Sequence, residues 1–169
     1  DFVKEEYKLK CDEPDSPKPV ISSFCPSVVR LIQVMFPSLT ENVFQFKAPH
    51  DIAAIYLRDI NSTTNIPPED IGIFYISPCA SKIVAAKAPE GEDKSPTDVV
   101  VNMKEFYNKV YKTIIDNKKT EELKRSSTMT SDSVKWSLSG TEREYFKGRS
   151  LAIDGVENVI KFLEKLESG

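Results

Sequence analysis

The chain has 169 residues, 40% of them hydrophobic and 29% charged, which suits one folded domain with a real core and excludes a disordered segment. Its 23 Lys and Arg against 26 Asp and Glu give a net charge of −3, with the two signs interleaved along the chain, so no nucleic-acid partner is expected. No apolar run approaches the ~20 residues that span a bilayer, which leaves no membrane partner, and three scattered cysteines make a poor disulfide framework and point to a reducing, cytoplasmic setting.

Residues 1–18 read as a charged N-terminal segment with Pro14 and Pro17, within which Phe2 to Lys10 is expected to pair as a peripheral strand. Pro19 to Phe24 predicts a short buried strand ending at Cys25. Pro26 suits the first turn of a helix, where its missing N–H does no harm. Val28, Leu31, Ile32 and Met35 then fall on one face, and Pro37 ends the run. Val43 to Phe46 predicts a brief strand, and a second helix opens at Ala48-Pro49 and carries Ile52, Ile55, Tyr56 and Ile60.

Asn61 to Asp70 reads as a loop, followed by the clearest strand of the chain, Ile71 to Ile76, apolar on both faces as in a parallel sheet covered by helices. It runs into Ser77-Pro78-Cys79 and a helix over 80–87. After the solvated loop 90–96, Asp98 to Val101 is a third strand. Asn102, with Glu105 three residues on, has the form of a capping box for a helix burying Phe106, Val110 and Ile114. Residues 116–133 are polar and expected to be mobile. Leu151 to Ile153 predicts a last short strand, and Asp154 with Glu157 repeats the capping pattern before an amphipathic helix with Val156, Val159, Ile160, Leu163 and Leu166. The order predicts a three-layer α/β domain: a mostly parallel sheet flanked by helices, over residues 19–169.

Cys25 and Cys79 occupy matching strand-to-helix turns. Ligands of open parallel sheets bind outside the carboxyl ends of the strands, and a helix N-terminus favours the thiolate that ligates metal. A small buried hydrophobe is the competing reading for each cysteine, and the pattern by itself leaves both open.

The surrounding residues carry more. Ser22-Ser23-Phe24-Cys25-Pro26 resembles the first cluster-binding motif of iron-only (FeFe) hydrogenases, Thr-Ser-Cys-Cys-Pro, and Ser77-Pro78-Cys79-Ala80-Ser81-Lys82 resembles the second, Met-Pro-Cys-x-x-Lys. The similarity extends through Val28 to Gln33, Ala48-Pro49, Lys94-Ser95 and Ile153 to Ile160, and it is nearest to the sensory branch of that family.

The resemblance implies one lobe of the iron-only hydrogenase fold, truncated before the third cluster motif. Cys25 and Cys79 would be two of the four thiolates of a 4Fe–4S cluster joined to a diiron centre in the intact parent. Lys82 would hydrogen-bond a cyanide of the diiron site, and Phe24, Ser77 and Pro49 would line the cofactor pocket. With two thiolates the fragment itself is expected to bind no cluster and to be inactive. The parent would sense hydrogen, or slowly oxidise or evolve it, in an anaerobe's cytoplasm. Its partners would be the second lobe and an attached signalling or ferredoxin-like domain, and a fragment dimer through exposed apolar surface stays open.

Three residues depart from the catalytic pattern. Phe24 stands where catalytic members carry a proton-shuttling cysteine, Ser77 replaces the motif's Met, and Ala85 stands where a relay Glu is expected. A relay lacking thiol and carboxylate moves protons slowly, which suits a sensor. It also keeps a second reading in play, a metal-free interaction module that retains the fold. His50 is the only histidine and has no Ser or Cys partner in a triad-like context, so a capping or surface role is expected. Trp136, Phe106, Tyr107 and Tyr111 are expected in the core, and Cys11 matches no motif.

Overall fold

A computed structural model describes residues 17–44, 47–62, 66–89, 94–116, 131, 140, 143 and 149–169. The peripheral strand expected over 2–10, Cys11, Trp136 and most of the polar stretch 116–133 lie outside these residues. The fold class is α/β. Two compact units are present, one drawing its described residues from Asp1–Ile21, Arg30–Phe44 and Leu123–Gly169, the other from Ser22–Val29 and Gln45–Glu122.

In the first unit, β1 (Ile21–Ser22) begins the described regular structure and pairs with β2 (Val43–Phe44). Between them runs α1 (Pro26–Met35), of which Pro26–Val29 is counted with the second unit and Arg30–Met35 with the first, followed by a 3-10 turn over Pro37–Asn42. Pro37 does end α1, but the chain continues directly into the tighter helix, because proline is tolerated at a helix start. The buried side chains are Ile32, Phe36, Leu39, Val43 and, on the last helix α5 (Val156–Ser168), Leu163. Ile32 is 0% exposed, a burial that stabilises by roughly 1.5–3 kcal/mol. The buried stripe of α1 is Val29, Ile32 and Phe36, not the expected Val28, Leu31, Ile32 and Met35; Met35 is exposed. Phe36, one residue past the helix, has the larger surface to hide and turns the stripe toward itself.

Before α5 the expected strand 151–153 is not formed, and it joins neither sheet among the described residues. Three residues make few ladder bonds, and Leu151, 67% exposed, buries too little to hold them. The expected Asp154 cap is also absent. Its Oδ1 accepts from Gly155 N (3.0 Å), and Gly155, at φ 85°, occupies the cap position itself. That positive φ is the reason a glycine stands there.

In the second unit α2 (Pro49–Ser62) leads through a short 3-10 turn at Pro68–Asp70 to β3 (Phe74–Ser77). Next come α3 (Ala80–Lys87), β4 (Val99–Asn102) and α4 (Met103–Asp116). β3 and β4 are parallel, in register Phe74 with Val99 through Ser77 with Asn102, and α3 is their crossover. The described residues hold one parallel pair, β3 with β4, and a second two-stranded pair, β1 with β2, as an α/β fold requires. α2 runs through Asn61 and Ser62, which were expected in the loop; Asn61 Nδ2 donates to Leu57 O (2.7 Å) and extends the last turn.

Asn102 caps α4 as expected: its Oδ1 accepts from Lys104 N (2.9 Å) and Glu105 N (3.3 Å). The burial expected of that helix is not found. Phe106, Tyr107, Tyr111 and Ile114 are all exposed, as is Phe74 of β3 at 66%. Helical spacing gathers such residues on one face, but burial needs an opposing surface. Buried instead in this unit are Val29, Ala54, Ser77, Ser95 and Thr97.

Candidate functional site

Strand alternation puts Tyr75 and Ser77 on one face of β3 and Phe74 and Ile76 on the other. Ser77, 0% exposed, turns its Oγ back to accept from Cys79 N (3.2 Å). This serine turn ends the strand and sets Cys79 at the N-cap of α3, where its carbonyl accepts from Ile83 N (3.3 Å). The same device recurs at the first cysteine motif, where Ser22 Oγ accepts from Phe24 N (3.3 Å). Cys25 follows, and its carbonyl takes the opening bonds of α1 from Val28 N (3.0 Å) and Val29 N (3.1 Å). Serine at the position expected to be Met is thus the residue that shapes the turn before Cys79.

The Cys79 Sγ lies 3.0 Å from Ser81 Oγ. That hydroxyl, more than any other group, holds the thiol below its ordinary range; partial burial opposes it, and the Lys82 and Ser81 amides and the Lys82 charge add to it. The cause is hydrogen bonding to the charged form, strengthened by the helix N-terminus. Cys25 and Cys79 are both free thiols, the first exposed and the second half-buried, and both belong to the second unit. Among the described residues no group of three or more His, Cys, Asp or Glu side chains gathers in metal-binding geometry.

Around Cys79, Lys82 lies in the first turn of α3 and Ala85 in the next, and Pro49 is the first residue of α2. Phe24 is half-buried in the turn before Cys25.

His50 is where the sequence reading fails. It is half-buried, not the exposed residue expected. Its ring stacks on Tyr75 at 4.6 Å between centroids and 13° between planes. Nε2 is 3.6 Å from Asp51 Oδ1, while Nδ1 is buried with no hydrogen-bond partner among the described residues. Burial is the main cause that lowers the imidazole below the ordinary histidine value; Asp51 opposes this and the Lys82 charge assists it. The usable signal was strand alternation, which puts Tyr75 on the Ser77 side of β3.

A second network fixes the start of the parallel pair. Arg58 of α2 donates to Ile71 O (2.8 Å) and to Asp98 Oδ2 (2.6 Å), and that same oxygen accepts from Ile73 N (2.8 Å). Beside it, a pocket of about 140 Å³ is lined by Ile83, Ala86, Lys87 and residues 97–100, and contains neither cysteine.

These features define an α/β domain that presents thiols from strand-to-helix turns at the carboxyl end of its strands. The match of the family model described as iron only hydrogenase large subunit, C-terminal domain, over residues 3–152 then settles its kinship: the chain belongs to that family. No curated protein matches the sequence. The family's intact members carry iron–sulfur clusters. Cys79, whose thiol is biased toward thiolate, and Cys25, which opens a helix, lie in one unit. No described helix is long and apolar enough to cross a membrane.

Proposed function

We propose that this domain supplies Cys25 and Cys79 as two of the four thiolates of a 4Fe–4S cluster in its parent protein, and that the parent senses hydrogen or turns it over slowly. The observation that carries the reading is the Cys79 turn. Ser77 fixes its backbone, Ser81 stabilises its thiolate, and Lys82 adds a cation one turn away. When bound, the cluster with its diiron partner would supply redox and hydrogen chemistry; the chain's own residues bind and orient. Lys82, a compact cation with three donors, would hydrogen-bond an anionic ligand of that centre. Phe24, Ser77 and Pro49 would shape the pocket wall.

Phe24 and Ala85 cannot titrate, so neither carries a proton, and slow turnover suits a sensor in an anaerobe's cytoplasm better than a production enzyme. The partners would be the second lobe, meeting apolar surface such as Phe74, and an attached signalling or ferredoxin-like domain. The exposed Phe74 also supports the second reading, a metal-free interaction module, since it offers a partner surface that needs no metal.

Anaerobic iron–sulfur reconstitution of the parent protein, with iron counting and EPR, separates the two. A cubane signal lost in Cys25→Ala and in Cys79→Ala upholds the cluster. A folded parent that takes up no iron overturns it and leaves the module.

A further inference from the structure

His50 is the only histidine of the chain. Two neighbours hold it, Asp51 beside it on α2 and Tyr75 beneath it on β3, and the charge of Lys82 on α3 is near enough to lower the imidazole. The Asp51 carboxylate at 3.6 Å from Nε2 repels a lone pair and attracts an N–H. The neutral imidazole therefore carries its hydrogen on Nε2 and leaves Nδ1 as a bare acceptor. That acceptor is buried and unpartnered in the conformation described. A buried acceptor left so is costly, and a donor is missing. The nearby cation whose charge the ring already feels has three N–H groups on a flexible stem.

We propose that His50 is a positioning residue: its Nδ1 accepts a hydrogen bond from the Lys82 ammonium and thereby aims that cation at the Cys79 end of α3. The bond forms by turning the lysine side chain. The Tyr75 ring keeps the imidazole in plane, and Asp51 keeps the tautomer. Protonation of Nδ1 breaks the bond and sets two cations against each other, so the lysine swings away in acid. The role in aiming Lys82 rests on the cluster reading above; the His50–Lys82 linkage does not, and it can be measured in the metal-free chain.

The test is long-range proton–nitrogen NMR on the full 169-residue chain, where one histidine leaves no assignment ambiguity. The expected result is an Nε2–H tautomer near neutral pH, with the Nδ1 resonance displaced from that of a free acceptor nitrogen. In Lys82→Gln that displacement disappears and the His50 titration moves to higher pH. Lys87→Gln, which removes a charge from the same helix at the pocket beside β4, leaves both unmoved. An Nδ1–H tautomer in the wild-type chain overturns the proposal without any variant. So does a titration and Nδ1 resonance that Lys82→Gln does not change. Iron uptake by the parent plays no part in these readouts, so failure of the cluster reading and failure of the linkage are seen separately.

Discussion

Arg58 and Asp98 meet at 2.6 Å across the start of the parallel pair, and the carboxylate oxygen they share is also the acceptor for Ile73 N. Arg58 additionally donates to Ile71 O at 2.8 Å. One ion pair therefore ties α2, the approach to β3 and the approach to β4. Both side chains are about a third exposed, so the charge attraction itself is screened. What the pair adds is satisfaction of backbone groups before the ladder begins.

Asp98→Asn is accordingly expected to cost about 1–2 kcal/mol, because charge-assisted bonds to Ile73 N and Arg58 are weakened. The bonds to Ile73 N and Arg58 hold the carboxyl below its ordinary value. A depressed folded pKa contributes stability that is present above the unfolded value and lost as pH falls through the folded one. Urea denaturation near neutral pH and again below about pH 3 should show the wild type losing more than Asp98→Asn on acidification. Equal losses would remove the pair from the account.

Cys79 should alkylate with iodoacetamide at lower pH than an ordinary thiol. Ser81→Ala, which deletes the leading cause of the depression, should raise the midpoint of the rate–pH profile. Peptide mapping distinguishes Cys79 from Cys25. A midpoint in Ser81→Ala equal to wild type would mean that the hydroxyl at 3.0 Å does not stabilise the thiolate.

The rotated stripe of α1 gives a contrast at neighbouring positions. Ile32→Ala should cost about 2–5 kcal/mol, as a fully buried site does, while Met35→Ala should fall within about 0.5 kcal/mol. Comparable losses at both would restore the stripe expected from spacing alone.

Helix capping offers a second contrast. Asn102→Ala should destabilise by about 1 kcal/mol, because two α4 amides lose their acceptor. Asp154→Ala should do less, because its carboxylate bonds Gly155 N outside α5. Thermal unfolding of the two variants under one condition decides it.

Local chemistry was legible in the sequence. Pro26, Pro49 and Asn102 mark helix starts by their own covalent or capping properties, and the two cysteine turns announce themselves by motif. The family was legible for the same reason, since motif spacing survives without coordinates. Burial was not. Whether Phe36 or Met35 turns inward, and whether Phe106 and Ile114 are covered, depends on what surface lies opposite, which periodicity does not contain. Strand 151–153 failed likewise, since a ladder needs a partner as well as β-prone residues.

At the site the division is the same. The sequence by itself determined that thiols stand at 25 and 79 and that side chains unable to titrate stand at 24 and 85, because these follow from side-chain identity. Only the tertiary structure decided that His50 lies flat on Tyr75 within reach of the Lys82 field, because residues on α2, β3 and α3 far apart in the chain become neighbours through packing alone.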